Sequence, residues 1–174
     1  MTRVAVVGNG GSGKTWLALR LSDVLHVPAI HLDLYRYDAE GQRCDDDTFL
    51  DEVQRKLDEP SWVADGNYLG TLGDRVSRAD VVVFLDLPAV VCFVGVLSRR
   101  VRNRGRRVED AAHVDRFNAA FVRYVLTYDF FLRPRVLTEL AQAQCRVVRV
   151  RSRRQARALV GELGTPVAGG CPIG

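Results

Sequence analysis

The stretch "VAVVGNGGSGKT", residues 4–15, constrains this chain more than any other part of it. A short, continuously apolar run that breaks into a glycine loop and then into helix-forming residues describes a strand buried on both faces of a parallel sheet, turning directly into a helix. The loop satisfies two phosphate-binding spacings. Gly8, Gly10 and Gly13 spell G-x-G-x-x-G, whereas Gly8, Gly13, Lys14 and Thr15 spell G-x-x-x-x-G-K-[ST]. Under the first, Asp33 stands where a dinucleotide ribose would be held. That reading leaves Lys14 and Thr15 without a task and the chain without room for a separate substrate domain. Under the second, the backbone of Gly8, Asn9, Gly10, Gly11, Ser12 and Gly13 cradles the phosphates of ATP or GTP, Lys14 reaches the β- and γ-phosphates, and Thr15 binds Mg²⁺. The second spacing gives every residue a role, and we read the loop as a P-loop.

The remaining pattern alternates strands and helices. Leu17, Leu21 and Val24 or Leu25 share one face of the helix after the loop. "VPAIHLD" predicts a second strand ending at Asp33, and Phe49, Val53 and Leu57 recur at helical spacing. "SWVADGNY" predicts a third strand ending at Asp65, "ADVVVFLDLP" a fourth, and "CRVVRV" a fifth. A helix from about Pro88 runs into an arginine cluster, and Val114, Phe117, Phe121, Tyr124 and Tyr128 form the apolar stripe of another. "SRRQ" at 152–155 matches a capping box that opens a last helix. The expectation is a doubly wound α/β fold with a five-stranded parallel sheet flanked by helices, one domain over residues 1–163 and a loose Gly- and Pro-rich tail over 164–174. Ligands of such sheets bind at the carboxyl ends of the strands, where the glycine loop, Asp33 and Asp65 all fall.

Composition narrows the partners. Of 25 basic residues only Lys14 and Lys56 are lysines, so the net charge of +4 is carried by arginine, which pairs with phosphate in a bidentate fork. The four cysteines are scattered without C-x-x-C spacing, which argues for reduced thiols in a cytoplasmic protein rather than a zinc site or a disulfide framework. The longest apolar stretch is broken by Asp86 and Pro88, so no membrane span is expected. His26, His31 and His113 form no ligand cluster, and Asp86 reads as structural. The basic cluster lacks the aromatic interleaving of a base-stacking surface, which argues against a nucleic-acid partner.

"VAVVGNGGSGKT", "IHLD", "WVADGNY", "VVVFLDLP" and the arginine cluster fall in the order and spacing of the adenylate-kinase-like P-loop kinases. The chain resembles, over residues 3–160, the bacterial group called topology modulation proteins. In nucleoside monophosphate kinases an Asp-Gly at the end of the third strand is followed by Phe-Pro-Arg, and that Asp acts on Mg²⁺ through water. Asp65 matches it, but Asn67 and Tyr68 replace the residues that follow, so the usual phosphate-binding Arg is missing. Small-molecule kinases of this fold, those for shikimate, gluconate and chloramphenicol, carry an acid just after strand two that faces the acceptor hydroxyl. Asp33 matches that acid. An alcohol must lose its proton during phosphoryl transfer, whereas a phosphate acceptor needs no base.

The resemblance also implies an arginine-rich lid over about residues 99–110 that places positive charge on the transferring group. Within it Arg100 and Arg104, at i, i+4, share a helix face. Arg116 continues the basic wall, Ser152 and Arg153 border the nucleotide base, and Tyr35, Tyr37 and Tyr68 sit in loops beside the acceptor together with Asn67. The leading reading is an ATP- or GTP- and Mg²⁺-dependent kinase of a hydroxyl on a small molecule, a nucleoside or hydroxylated natural product, compatible with antibiotic resistance. A nucleoside monophosphate kinase is one alternative. A nucleotide-binding regulator whose arginines meet DNA or RNA is another.

Overall fold

A computed structural model describes residues 1–37, 42–103 and 118–164. The expected lid therefore lies outside the described residues beyond position 103, as does the tail beyond 164.

Five parallel strands, β1 (Arg3–Gly8), β2 (Ala29–His31), β3 (Trp62–Asp65), β4 (Val81–Leu85) and β5 (Arg146–Val150), form one sheet in the order β2-β3-β1-β4-β5. The helices are α1 (Lys14–Leu25), α2 (Leu32–Arg36), α3 (Asp46–Leu57), α4 (Leu72–Arg78), α5 (Ala89–Asn103), α6 (Ala119–Phe131), α7 (Arg133–Ala141) and α8 (Arg153–Gly164). Successive side chains of β1 point to opposite faces, and each face has its own core. Ala5 and Val7 join Phe49, Val53 and Leu57 of α3, Val76 of α4 and Val136 of α7. Val4 and Val6 join Leu17 and Leu21 of α1, Cys92 and Val96 of α5, Val125 of α6 and Leu159 of α8. A leucine buried as fully as Leu17 or Leu21, both 0% exposed, contributes about 1.5–3 kcal/mol.

The strands end within two residues of one another, β2 and β3 opposite Val6 and β4 and β5 opposite Gly8. His31 pairs with Asp65 and Asp65 with Val6, while Gly8 pairs with Leu85 and Leu85 with Val150. This register aligns the carboxyl ends of all five strands along one rim, with β1 and its loop in the middle.

Several local expectations change. The second strand stops at His31, two residues before its expected end, because Leu32 turns inward as a fully buried residue and begins α2. Asp33 consequently sits in the first turn of a helix, where its charge complements the unpaired amides. The acidic run Asp45–Asp47 opens a helix, as its sequence suggests, with Asp45 capping α3 by accepting the Thr48 N–H at 2.8 Å. The Ser152 hydroxyl accepts the Gln155 N–H at 3.1 Å as a capping box requires, but the Gln155 side chain returns to the Arg151 N–H, one residue earlier than the motif prescribes. Phe121, Tyr124 and Tyr128 lie on α6, which starts at Ala119 with Asn118 as its cap; Val114 and Phe117 are outside the described residues. Helices α4 and α7 were not expected from periodicity. Among the described residues no helix is long and apolar enough to cross a membrane.

Candidate active site

The loop between β1 and α1 closes on itself. The Ser12 N–H donates to the Asn9 carbonyl at 3.2 Å and the Lys14 ammonium donates to the same oxygen at 2.9 Å. Gly13 caps α1 in the left-handed region, with φ of 97°, and no side chain caps the helix. The first-turn amides of α1 are therefore left to a ligand. Among the described residues the buried Ser12 hydroxyl and the Asn9 amide oxygen also find no hydrogen-bond partner. Gly11 is required by contact as well as by its φ of +78°, since a Cβ there would lie 2.2 Å from the Cys92 carbonyl of α5. The enclosing protein pushes the Lys14 ammonium below its ordinary pKa, with Asp65 and Asp33 opposing that shift. The first-turn amides, the Ser12 hydroxyl and the Lys14 ammonium suit a bound polyanion, which would take up these donors; the Asn9 oxygen, an acceptor, takes no part in that.

At the next position the Thr15 hydroxyl donates to Asp65 Oδ2 at 2.8 Å. The other Asp65 oxygen meets His31 Nδ1, and that contact, more than the burial that opposes it, raises the His31 pKa. The parallel register sets His31 beside Asp65, a link that local sequence does not announce. Two oxygen ligands, one hydroxyl and one carboxylate, fit Mg²⁺, which takes few protein ligands and completes its shell with phosphate and water. No cluster of three or more His, Cys, Asp or Glu suited to a metal occurs among the described residues, so a caged metal site does not compete with this one.

A cleft of about 860 Å³ runs across the loop. It is lined by Asp33, Tyr37, Asn67 and Tyr68, which follow β2 and β3, together with Phe121 and Tyr124 of α6. The Tyr68 hydroxyl donates to Asp33 Oδ1 at 2.5 Å. Asn67 spans the gap between β1 and α6, accepting from the Gly8 N–H at 3.4 Å and donating to the Tyr124 hydroxyl at 2.6 Å. Helix α6 is anchored from beneath by the buried Asn9, which donates to the Val125 carbonyl at 2.8 Å. Phe121 and Tyr124 stack with ring centroids 6.1 Å apart. Sequence reasoning assigned these two rings to a core stripe; both do pack against the core, and both also reach the cleft wall. Tyr35, expected beside the acceptor, is not on the cleft wall; it packs against the core, and Tyr37 faces the cleft.

The β4–β5 side is cationic. Arg99 and Arg102 of α5 and Arg153 and Arg157 of α8 line it. Arg99 and Arg102 share a helix face with Gly95 and Ser98, and Arg100, about 100° further round, lies on the exposed side of α5 rather than on the cleft wall. Of the expected base-side pair, Arg153 lines the cleft, while the Ser152 hydroxyl is committed to capping α8. Arg104 and Arg116 lie outside the described residues.

Two buried charges support this architecture. Arg75, 0% exposed, donates to the carbonyls of Gly66 at 2.9 Å, Tyr68 at 3.1 Å and Thr71 at 3.3 Å. It thus clamps the loop that carries Asn67 and Tyr68. Asp86 at the end of β4 accepts from Arg133 at 2.7 and 3.1 Å and from Arg149 at 2.6 Å, a structural role as expected.

No family model matches the chain, and no curated protein sequence matches it significantly. Solved structures do. Shikimate kinase from Acinetobacter baumannii in complex with shikimate is similar at a TM-score of 0.56 and 16% identity, covering 94% of this chain and 90% of that one. Shikimate kinase from Bacteroides thetaiotaomicron is similar at 0.50 and 20%, covering 93% and 95%. The YorR protein from Bacillus subtilis, in complex with phosphorylated GDP, is similar at 0.53 and 13%, covering 93% of each. The chain therefore has the P-loop α/β fold that shikimate kinases share, over nearly its whole length.

Proposed function

We propose that this protein is an NTP- and Mg²⁺-dependent phosphotransferase that moves the γ-phosphoryl group to a hydroxyl of a small molecule. The observation that carries the reading is the convergence of Lys14, the Thr15–Asp65 pair and Asp33 on one cleft, with arginines on one side of it.

The loop amides and Lys14 hold the β- and γ-phosphates, and Arg99, Arg102 and Arg153 face the negative charge of the donor. Thr15 and Asp65 would hold Mg²⁺, which would supply electrostatic stabilisation of the charge on the transferring phosphoryl group. The acceptor oxygen attacks the γ-phosphorus in line. A new P–O bond forms, the bond to the β-phosphate oxygen breaks, NDP leaves, and the hydroxyl proton passes to the Asp33 carboxylate. Tyr68, donating to Asp33 Oδ1, holds that carboxylate in place. A general base of this kind supports an alcohol acceptor over a monophosphate.

The test is Mg²⁺-dependent transfer from ATP and GTP, in parallel, to pooled nucleosides, monophosphates, sugars and hydroxylated antibiotics, read by product mass. A product carrying one added phosphoryl group, absent with Lys14→Ala, is the expected result. Transfer to monophosphates alone would refute the alcohol acceptor. Salt-dependent binding of DNA or RNA with no product from any pool would refute the kinase reading.

A further inference from the structure

The two walls of the cleft differ in chemistry, and the sheet order is the reason. Helices α5 and α8 follow β4 and β5, on one side of the central strand, and bring Arg99, Arg102, Arg153 and Arg157 to the cleft. Asp33 follows β2, and Asn67 and Tyr68 follow β3, both on the other side. Hydrogen bonds join the members of this second wall to each other: Tyr68 to Asp33, and Asn67 to Tyr124. Phe121 stacks on Tyr124, and Tyr37 completes the wall. Its one charged group is the Asp33 carboxylate, and among the described residues it presents no cation to the cleft. Arg75, the arginine nearest this loop, is turned away and fully buried on backbone carbonyls.

A phosphoryl donor carries several negative charges and belongs against the arginine wall, so the acceptor belongs against the aromatic and acidic one. We infer that the acceptor is a hydroxyl compound with a flat, unsaturated ring and no anionic group, neutral or bearing an amine. This deepens the phosphotransferase reading and rests on it. Tyr37, Phe121 and Tyr124 line the cleft with aromatic surface that, with Asp33, makes a favourable setting for a ring or a cation, while Tyr68, whose ring packs on Phe49 with centroids 4.9 Å apart, contributes its hydroxyl. Lys14, the described cation that faces Asp33 across the cleft, is taken up by the donor phosphates, so a carboxylate or phosphate on the acceptor would meet Asp33 as a like charge, and contact of that kind selects against a ligand.

The experiment uses three probes with the same phenol ring: tyramine, which carries an amine, tyrosol, which carries an alcohol, and 4-hydroxyphenylacetate, which carries a carboxylate. Each is titrated by NMR into the full chain saturated with Mg²⁺ and a non-hydrolysable ATP analogue. Tyramine and tyrosol are expected to bind at least ~10-fold more tightly than the carboxylate. Asp33→Asn should erase the advantage of tyramine over tyrosol. Tyr37→Ala, at a site away from the buried core, should weaken both. Equal or tighter binding of the carboxylate, or no binding of any probe while the nucleotide analogue binds, would overturn the inference. Failure of the nucleotide analogue itself to bind would instead overturn the phosphotransferase reading. The two failures are therefore separable.

Discussion

Replacing Arg75 by Met keeps the side-chain length and removes both the charge and the donors. The three hydrogen bonds from its guanidinium end on the carbonyls of Gly66, Tyr68 and Thr71. Hydrogen bonds to a charged donor contribute about 1.5–3 kcal/mol each, so about 6 kcal/mol is lost. Against this, burial pushes the Arg75 pKa below its ordinary value to about 10, which corresponds to about 3 kcal/mol against the charged form that Met does not incur. The net expectation is destabilisation by about 3 kcal/mol. In a chain of this size that lowers Tm by about 6–12 °C, read by circular dichroism. Arg75→Lys keeps the charge, but a single ammonium on a shorter reach does not bridge the same three carbonyls, so it should be destabilised as well. The Tyr68 carbonyl retains the Thr71 N–H and hydroxyl, so the loop should shift mainly at Gly66, next to Asp65. A Tm within 1 °C of the wild-type value for Arg75→Met, or full stability of Arg75→Lys, would refute the clamp.

Gly11→Ala and Gly13→Ala separate contact from backbone strain. Both glycines have positive φ, but a Cβ at Gly11 would strike the Cys92 carbonyl whereas one at Gly13 meets open space. Gly13→Ala should lose about 1–2 kcal/mol in denaturant unfolding, and Gly11→Ala clearly more. Asp33→Asn should lower kcat by ~10²–10⁴-fold while nucleotide affinity, measured by calorimetry, stays near the wild-type value. Asp86 bears on pH. Hydrogen bonds from Arg133, ahead of those from Arg149, hold its pKa below the ordinary 3.8, so its stabilisation is present above that value and is lost as pH falls through the lowered one. The Tm deficit of Asp86→Asn should therefore be full at neutral pH and shrink below about pH 4, and a deficit that stays constant across the acid range would sink this account.

The amino-acid sequence by itself determined the features that depend on neighbours along the chain. The P-loop is local: an apolar run, glycines at the turns and Lys-Thr opening a helix, all within residues 4–15. The five strands were legible for the same reason, as short, mostly valine-bearing runs between turn residues. Asp65 was legible because it ends one of them. Asp33 was located by its spacing, although its place in a helix turn was not, since the end of β2 is set by the buried Leu32 rather than by any local stop signal.

Tertiary structure alone decided which side chains share the cleft. Choosing Arg99 and Arg102 over Arg100 depends on how α5 is rotated about its axis when Cys92 and Val96 enter the core. Phe121 and Tyr124 carry the same periodicity as a core stripe, and long-range contacts, Asn9 to Val125 across 116 residues and Asn67 to Tyr124 across 57, tie their helix to the site. The His31–Asp65 link and the Arg75 clamp likewise depend on strand register and on burial. The order β2-β3-β1-β4-β5, invisible in a linear pattern, separates the acid from the arginines. Short-range propensity places elements, but the chemistry of a cleft is set by long-range packing, which no window along the sequence contains.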